Sequence, residues 1–191
     1  MLRILSFLLL LTTVAVQPIF AQSASVPRPK LVVGLMIDQM RWDYLYRFYD
    51  RYGSGGFKRI LNEGYSNENT FIPYAQTLTA AGHATVYTGT TPAVHGIVGN
   101  GWFEKDKNRD MYCTADETVK IINGHEKSSP QSPRNMWSNT IGDELRLATN
   151  FKSKVIGIAI KDRGGILPAG HSANAAYWFD SKYERNSCLG S

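Results

Sequence analysis

The stretch RPKLVVGLMIDQM, residues 28–40, sets the fold class. Leu31 to Ile37 form a mostly apolar run without alternation, the pattern of a strand covered on both faces and so of a parallel sheet. Asp38 then falls at the strand's carboxyl end, the edge where open α/β sheets take their ligands. A second such run, KVIGIAI at 154–160, also ends in charge, at Lys161, Asp162 and Arg163. Helical and turn-rich segments alternate with these runs, which predicts an α/β layer fold.

Beyond Asp38, Trp42, Leu45, Tyr46 and Tyr49 recur at helical spacing and are expected to pack on the sheet. FKRILNEGY at 57–65 resumes a helix that Gly64 stops, and a second strand is expected near Ser66 to Tyr74. Thr79 to Tyr87 suits a short helix, with Ala80, Ala81, Gly82 and Ala84 allowing close packing and a threonine as its N-cap. TTPAVHGIVGNGWF at 90–103 is turn-rich, and the charged residues 104–110 mark a hairpin tip. After a polar loop from Gly124 to Arg134, Asn135 is expected to cap a helix through Trp137, Ile141, Leu145 and Ala148. SKYERNSCLGS, 181–191, carries no strand or helix pattern.

The first 21 residues have the layout of a secretory signal peptide: Arg3, an apolar run from Ile4 to Val16, and a cleavage point after Ala21. That run is shorter than the roughly 20 apolar residues of a membrane span, so stable insertion after cleavage is not expected. The expected location is periplasmic or secreted. About 170 of the 191 residues remain, enough for one domain with a core. The formal charge of +5 is spread in short clusters, without the basic stripe or module of a nucleic-acid binder. Cys113 and Cys188 are free to pair in such a compartment, and no CxxC suggests a cysteine metal site.

Four groups carry candidate chemistry. Asp38 either offers a carboxylate to a cation or caps a loop. Thr79 lies where a helix's amino end presents free N–H groups and about half a positive charge, which favours a phosphoryl group. Its hydroxyl needs a base or a metal ion to become a nucleophile; His83, four residues on, either serves as that base or hydrogen-bonds in the core. Lys161 and Arg163 either clamp phosphate oxygens, Arg by its planar fork and Lys as a point charge, or form a solvated strand end. Asn100 either donates its amide to the same anion or serves the turn.

The segments RPKLVVGLMIDQMRWDYLYRF, QTLTAAGHATVYTGTTPAVHGIVGN, SPRNMWSNTIGDEL and IKDRGGILPAGH together resemble the PafA-type alkaline phosphatases, secreted zinc enzymes of the alkaline phosphatase superfamily, over residues 29–180. The resemblance implies that superfamily's layered fold, with a central, mostly parallel sheet, incomplete at the carboxyl end. It implies two zinc ions, Asp38 as a ligand, and Thr79 as both ligand and nucleophile on the way to a phosphothreonine. Asn100, Lys161 and Arg163 would bind the phosphate of small monoesters. The family's other zinc ligands lie in a longer chain, and His83, His95, His125 and His171 match none of them. An amino-terminal part with impaired hydrolysis is therefore expected. A phosphodiesterase or nucleotide pyrophosphatase of the same superfamily and an inactive exported remnant are the alternatives; a sulfatase is disfavoured because no Cys-x-Pro-x-Arg occurs.

Overall fold

A computed structural model describes residues 29–125, 127–183 and 185–190; the expected signal segment lies outside the described residues. The chain divides into two units, Met1–Leu35 and Met36–Ser191. In the first, Leu31, Val32, Val33 and Leu35 carry no regular secondary structure and are between 72% and 78% exposed. The expected strand at Leu31–Ile37 is therefore not formed, and Asp38 sits in a turn. A run apolar on both faces becomes a strand only where a ladder partner exists, and none pairs with it among the described residues.

The second unit begins with short helices that hold their shape locally. α1 (Tyr44–Arg47), a 3-10 turn (Tyr49–Arg51) and α2 (Gly56–Glu63) contain no buried residue. Gly64 ends α2 as its pattern predicts, its N–H donating to the Ile60 carbonyl. The aromatic stripe does not pack on a sheet: Trp42 stays 57% exposed and meets Tyr46 at 4.8 Å between ring centroids. Residues 66–74, the expected second strand, are irregular.

Order builds from residue 79 onward. α3 (Thr79–Thr88) runs to Gly89, whose φ of 67° gives the left-handed stop. α4 (Pro92–His95) follows, then the expected hairpin of β1 (Gly101–Glu104) and β2 (Arg109–Tyr112), paired antiparallel from Gly101 opposite Tyr112 to Glu104 opposite Arg109. α5 (Ile141–Ala148) starts at a capping box in which Thr140, not Asn135, is the cap. Asn135 instead donates its amide to the carbonyls of Tyr112, Cys113 and Ala115, tying the loop to the end of β2.

β3 (Ile156–Ala159), α6 (Asp162–Ala169) and β4 (Ala175–Asp180) form a parallel crossover unit. β5 (Arg185–Gly190) then pairs antiparallel with β4, giving the order β3-β4-β5. The tail expected to be patternless is thus a strand. Its ladder with β4 supplies what its polar sequence does not advertise.

Adjacent residues of α6 point into two cores. Ile166 packs with Ala169, Ala176 and Trp178 against the sheet, while Leu167 joins Ala80, Ala84, Ile97, Cys113 and Met136 beneath α3. The order sheet, α6, α3 is the layered α/β arrangement, and close approach makes it possible. A Cβ on Gly157 would strike the Gly165 carbonyl oxygen of α6. The far side of β3 is bare, with Ile156, Ile158 and Ile160 57%, 79% and 80% exposed.

Candidate active site

Thr79 opens α3, but it is not the cap. Leu78 holds the N-cap position in extended geometry, and no side chain of its own caps the helix. The work passes to Asn100, whose Oδ1 accepts from the Ala80 N–H at 2.9 Å. The Thr79 hydroxyl is left to donate to Asp38 Oδ2 at 3.2 Å, across 41 residues of sequence. Two of the predicted residues are thus in contact, and a third holds the first turn of the helix that carries one of them.

His83 lies on the same helix, buried, and is not the base for that hydroxyl. Its Nδ1 donates to the Thr79 backbone carbonyl at 2.7 Å, which fixes the tautomer and points the rest of the ring at α6. A Cβ on Gly164 would sit 3.7 Å from His83 Nε2. That contact brings the amino end of α6, and with it Lys161 and Arg163, against the first turns of α3.

Lys161 is the N-cap residue of α6, in extended geometry, with its side chain exposed. Arg163 is held instead. Its Nη1 donates to the Tyr112 hydroxyl at 2.8 Å, and the same hydroxyl donates to Asp162 Oδ1 at 2.8 Å. Burial first, and then the neighbouring Asp162 carboxylate, push the Tyr112 phenol well above its ordinary value, so it remains a neutral donor and acceptor. Arg163 Nε is buried without a partner among the described residues. Lys161, Arg163 and Tyr112 line a cavity of about 360 Å³; Thr79, Asp38 and Asn100 are not in its lining.

Tyr112 is the residue that sequence reasoning missed. It ends a strand in a hairpin whose only visible signal is its charged tip, and its partners lie about 50 residues later. The next residue, Cys113, donates its N–H to the Asn100 carbonyl at 3.1 Å. One strand end therefore touches both Asn100 and Arg163. Cys113 and Cys188 are both free, and burial raises the Cys113 thiol to about 12, so it stays protonated in the core.

Of the other histidines, His95 is fully buried: Nδ1 accepts from the Ile97 N–H, and Nε2 therefore donates to Thr85 Oγ1 at 3.0 Å. His125 stacks on Tyr183 at 4.0 Å. Among the described residues no group of three or more His, Cys, Asp or Glu is placed to hold a metal ion. Asp38 and Thr79 offer two oxygens to a cation, fewer than the three protein ligands of a catalytic zinc.

With this geometry in place, the family follows from comparison. Residues 32–188 match the type I phosphodiesterase / nucleotide pyrophosphatase family, and the chain belongs to it. Among curated relatives it is 60% identical over 166 residues to alkaline phosphatase PhoV of Synechococcus elongatus, covering 86% of this chain and 30% of that protein. It is 62% identical over 160 residues to a protein of Myroides odoratus named calcium-transporting ATPase, covering 84% of this chain and 29% of that one. The crystal structure of wild-type alkaline phosphatase PafA superposes with a TM-score of 0.79 at 53% identity, over 85% of this chain and 32% of the other. The layered α/β fold is therefore that of PafA in part, and the chain spans about a third of the length of the relatives it matches.

Proposed function

We propose that this chain belongs to an exported phosphoryl hydrolase acting on small phosphate monoesters, with Thr79 as the attacking group. The observation that carries this is the Thr79 hydroxyl donating to Asp38 Oδ2 at the amino end of α3. The hydroxyl is released from capping because Asn100 does that, and its hydrogen already faces a carboxylate that can take it. Attack of Thr79 Oγ on phosphorus would expel the ester alcohol and leave a phosphothreonine; water would then attack phosphorus and release inorganic phosphate and the free hydroxyl.

The N–H groups of Thr79 and Ala81 find no acceptor among the described residues, which leaves them free for an anion at the helix's amino end. Asn100 spends its oxygen on Ala80, so its amide nitrogen is left to donate to a phosphoryl oxygen. Lys161 and Arg163 add two cations, which complement a dianionic monoester better than a monoanionic diester. Zinc would supply Lewis-acid polarisation in a complete enzyme of this kind. The described residues do not close a zinc site. Export rests on the amino-terminal signal pattern, and no described helix is long and apolar enough to cross a membrane.

A second reading, diester or pyrophosphate hydrolysis, is favoured by the description of the matched family. A nitrophenyl phosphate monoester, its methyl diester and ATP, each assayed with the 191-residue chain and added zinc, separate the two. Monoester turnover that falls at least about a thousandfold in Thr79→Ala supports the proposal. Diester preference selects the second reading, and an absence of turnover in the unsubstituted chain leaves an inactive remnant.

A further inference from the structure

The triangle of Tyr112, Asp162 and Arg163 has a shape that stability alone does not require. Arg163 is 15% exposed and Asp162 is 18% exposed, and the two approach only to 3.8 Å, too far for a direct hydrogen bond. Asp162 is committed twice, to the Arg163 backbone N–H at 2.7 Å and to the Tyr112 hydroxyl. The hydroxyl therefore stands between the carboxylate and the guanidinium, giving a hydrogen to one and taking one from the other. This keeps Arg163 from collapsing onto Asp162 in a bidentate pair, which would use both edges of its fork. Only Nη1 is spent; Nε is buried without a partner, and Nη2 meets no acceptor among the described residues.

The same strand end fixes Asn100 through Cys113 N–H and meets Arg163 through Tyr112. Asn100 in turn holds the Ala80 amide at the start of the helix bearing Thr79. We propose that Tyr112 is the positioning residue of the phosphate site: its hydroxyl sets the direction of the Arg163 fork while its strand sets Asn100, so that both grip one phosphoryl group. This rests on the phosphoryl-site reading above. Tyr112 itself touches no substrate in it.

The test is binding of inorganic phosphate to the 191-residue chain by titration calorimetry, in a cycle of Tyr112→Phe, Arg163→Ala and the double variant. Phe keeps the ring in its packing and removes only the hydroxyl. The expected result is about a tenfold weakening for either single variant and no further loss in the double, the signature of two residues acting as one unit. A second readout is the Arg163 Nε–H resonance, expected to be sharp in the unsubstituted chain and broadened by side-chain rotation in Tyr112→Phe even without phosphate.

An unaltered phosphate affinity in Tyr112→Phe, or a loss that persists undiminished in the Arg163→Ala background, overturns the positioning role and leaves the phosphate site standing. Phosphate binding that is absent, or indifferent to Arg163→Ala, overturns the phosphoryl-site reading and the positioning role with it. If the Phe variant folds poorly, Asp162→Asn at the other arm of the hydroxyl must broaden the same Arg163 resonance, and a sharp signal there refutes the proposal.

Discussion

Residues 36–78 and residues 79–190 are both rich in large apolar side chains, yet no described residue of the first stretch is buried and the whole core lies in the second. The difference is one of partners. α1 and α2 satisfy their own backbones and aromatic rings pair along this stretch, but among the described residues no layer buries them. α3 and α6 each face another element across small residues. Periodicity thus makes a helix, and only a facing surface makes a core. The candidate site straddles this divide, because Asp38 belongs to the first stretch and Thr79 opens the second.

Three measurements test this difference. The largest effect is expected from Leu167→Ala, which empties a fully buried position between α6 and α3 and should cost about 2–5 kcal/mol in urea unfolding. A loss below about 1 kcal/mol would mean that the second stretch is no better packed than the first.

Asp143 comes next. Its carboxylate accepts from the backbone N–H groups of Thr140, His171 and Ser172 and from the hydroxyls of Thr140 and Ser172, locking the start of α5 to the loop after α6. Gly170 passes this knot at φ 83°, and a Cβ there would collide with the carboxylate. Burial works against the ionised form, but these donors outweigh it and hold the carboxyl below its ordinary range. Asp143→Asn should cost about 1–3 kcal/mol at neutral pH by leaving donors unmatched. Since the folded value is depressed, that contribution is complete above the unfolded value of about 3.9 and is lost as pH falls through the folded one. The two proteins should therefore converge in acid; a gap independent of pH would show that the charge is not what Asp143 contributes.

The smallest effect is expected at Tyr65, 93% exposed at the end of α2, where Ala should change stability by no more than about 0.5 kcal/mol. A larger loss would reveal packing in the first stretch that its exposure conceals.

What the sequence disclosed divides along the same line. α3, α2's glycine stop, the hairpin and β3 were legible because propensity, turn chemistry and apolar pattern act within a few residues. Leu31–Ile37 and 66–74 read as strands but need a neighbouring ladder that the described residues do not provide. β5 was invisible for the opposite reason: its polar residues are a strand through pairing with β4. At the site, Asp38, Thr79, Asn100, Lys161 and Arg163 stood out by type and position. The assignment of capping to a threonine missed because Asn100 reaches the helix from 20 residues away. Tyr112 was beyond sequence reasoning, since nothing in MYCTAD announces a partner on α6.

The bare rim of β3 has a practical consequence. Its outer edge is unpaired among the described residues, and Ile156 and Ile158 stand exposed on the face turned away from α6, with Ile160 just beyond. Such a rim is a growth point where a stray strand from any neighbouring molecule can add with little loss of order. Purified at high concentration, the chain will tend to self-associate through this seam before it unfolds, and a lysine in place of Ile158 is the simplest way to keep it monodisperse.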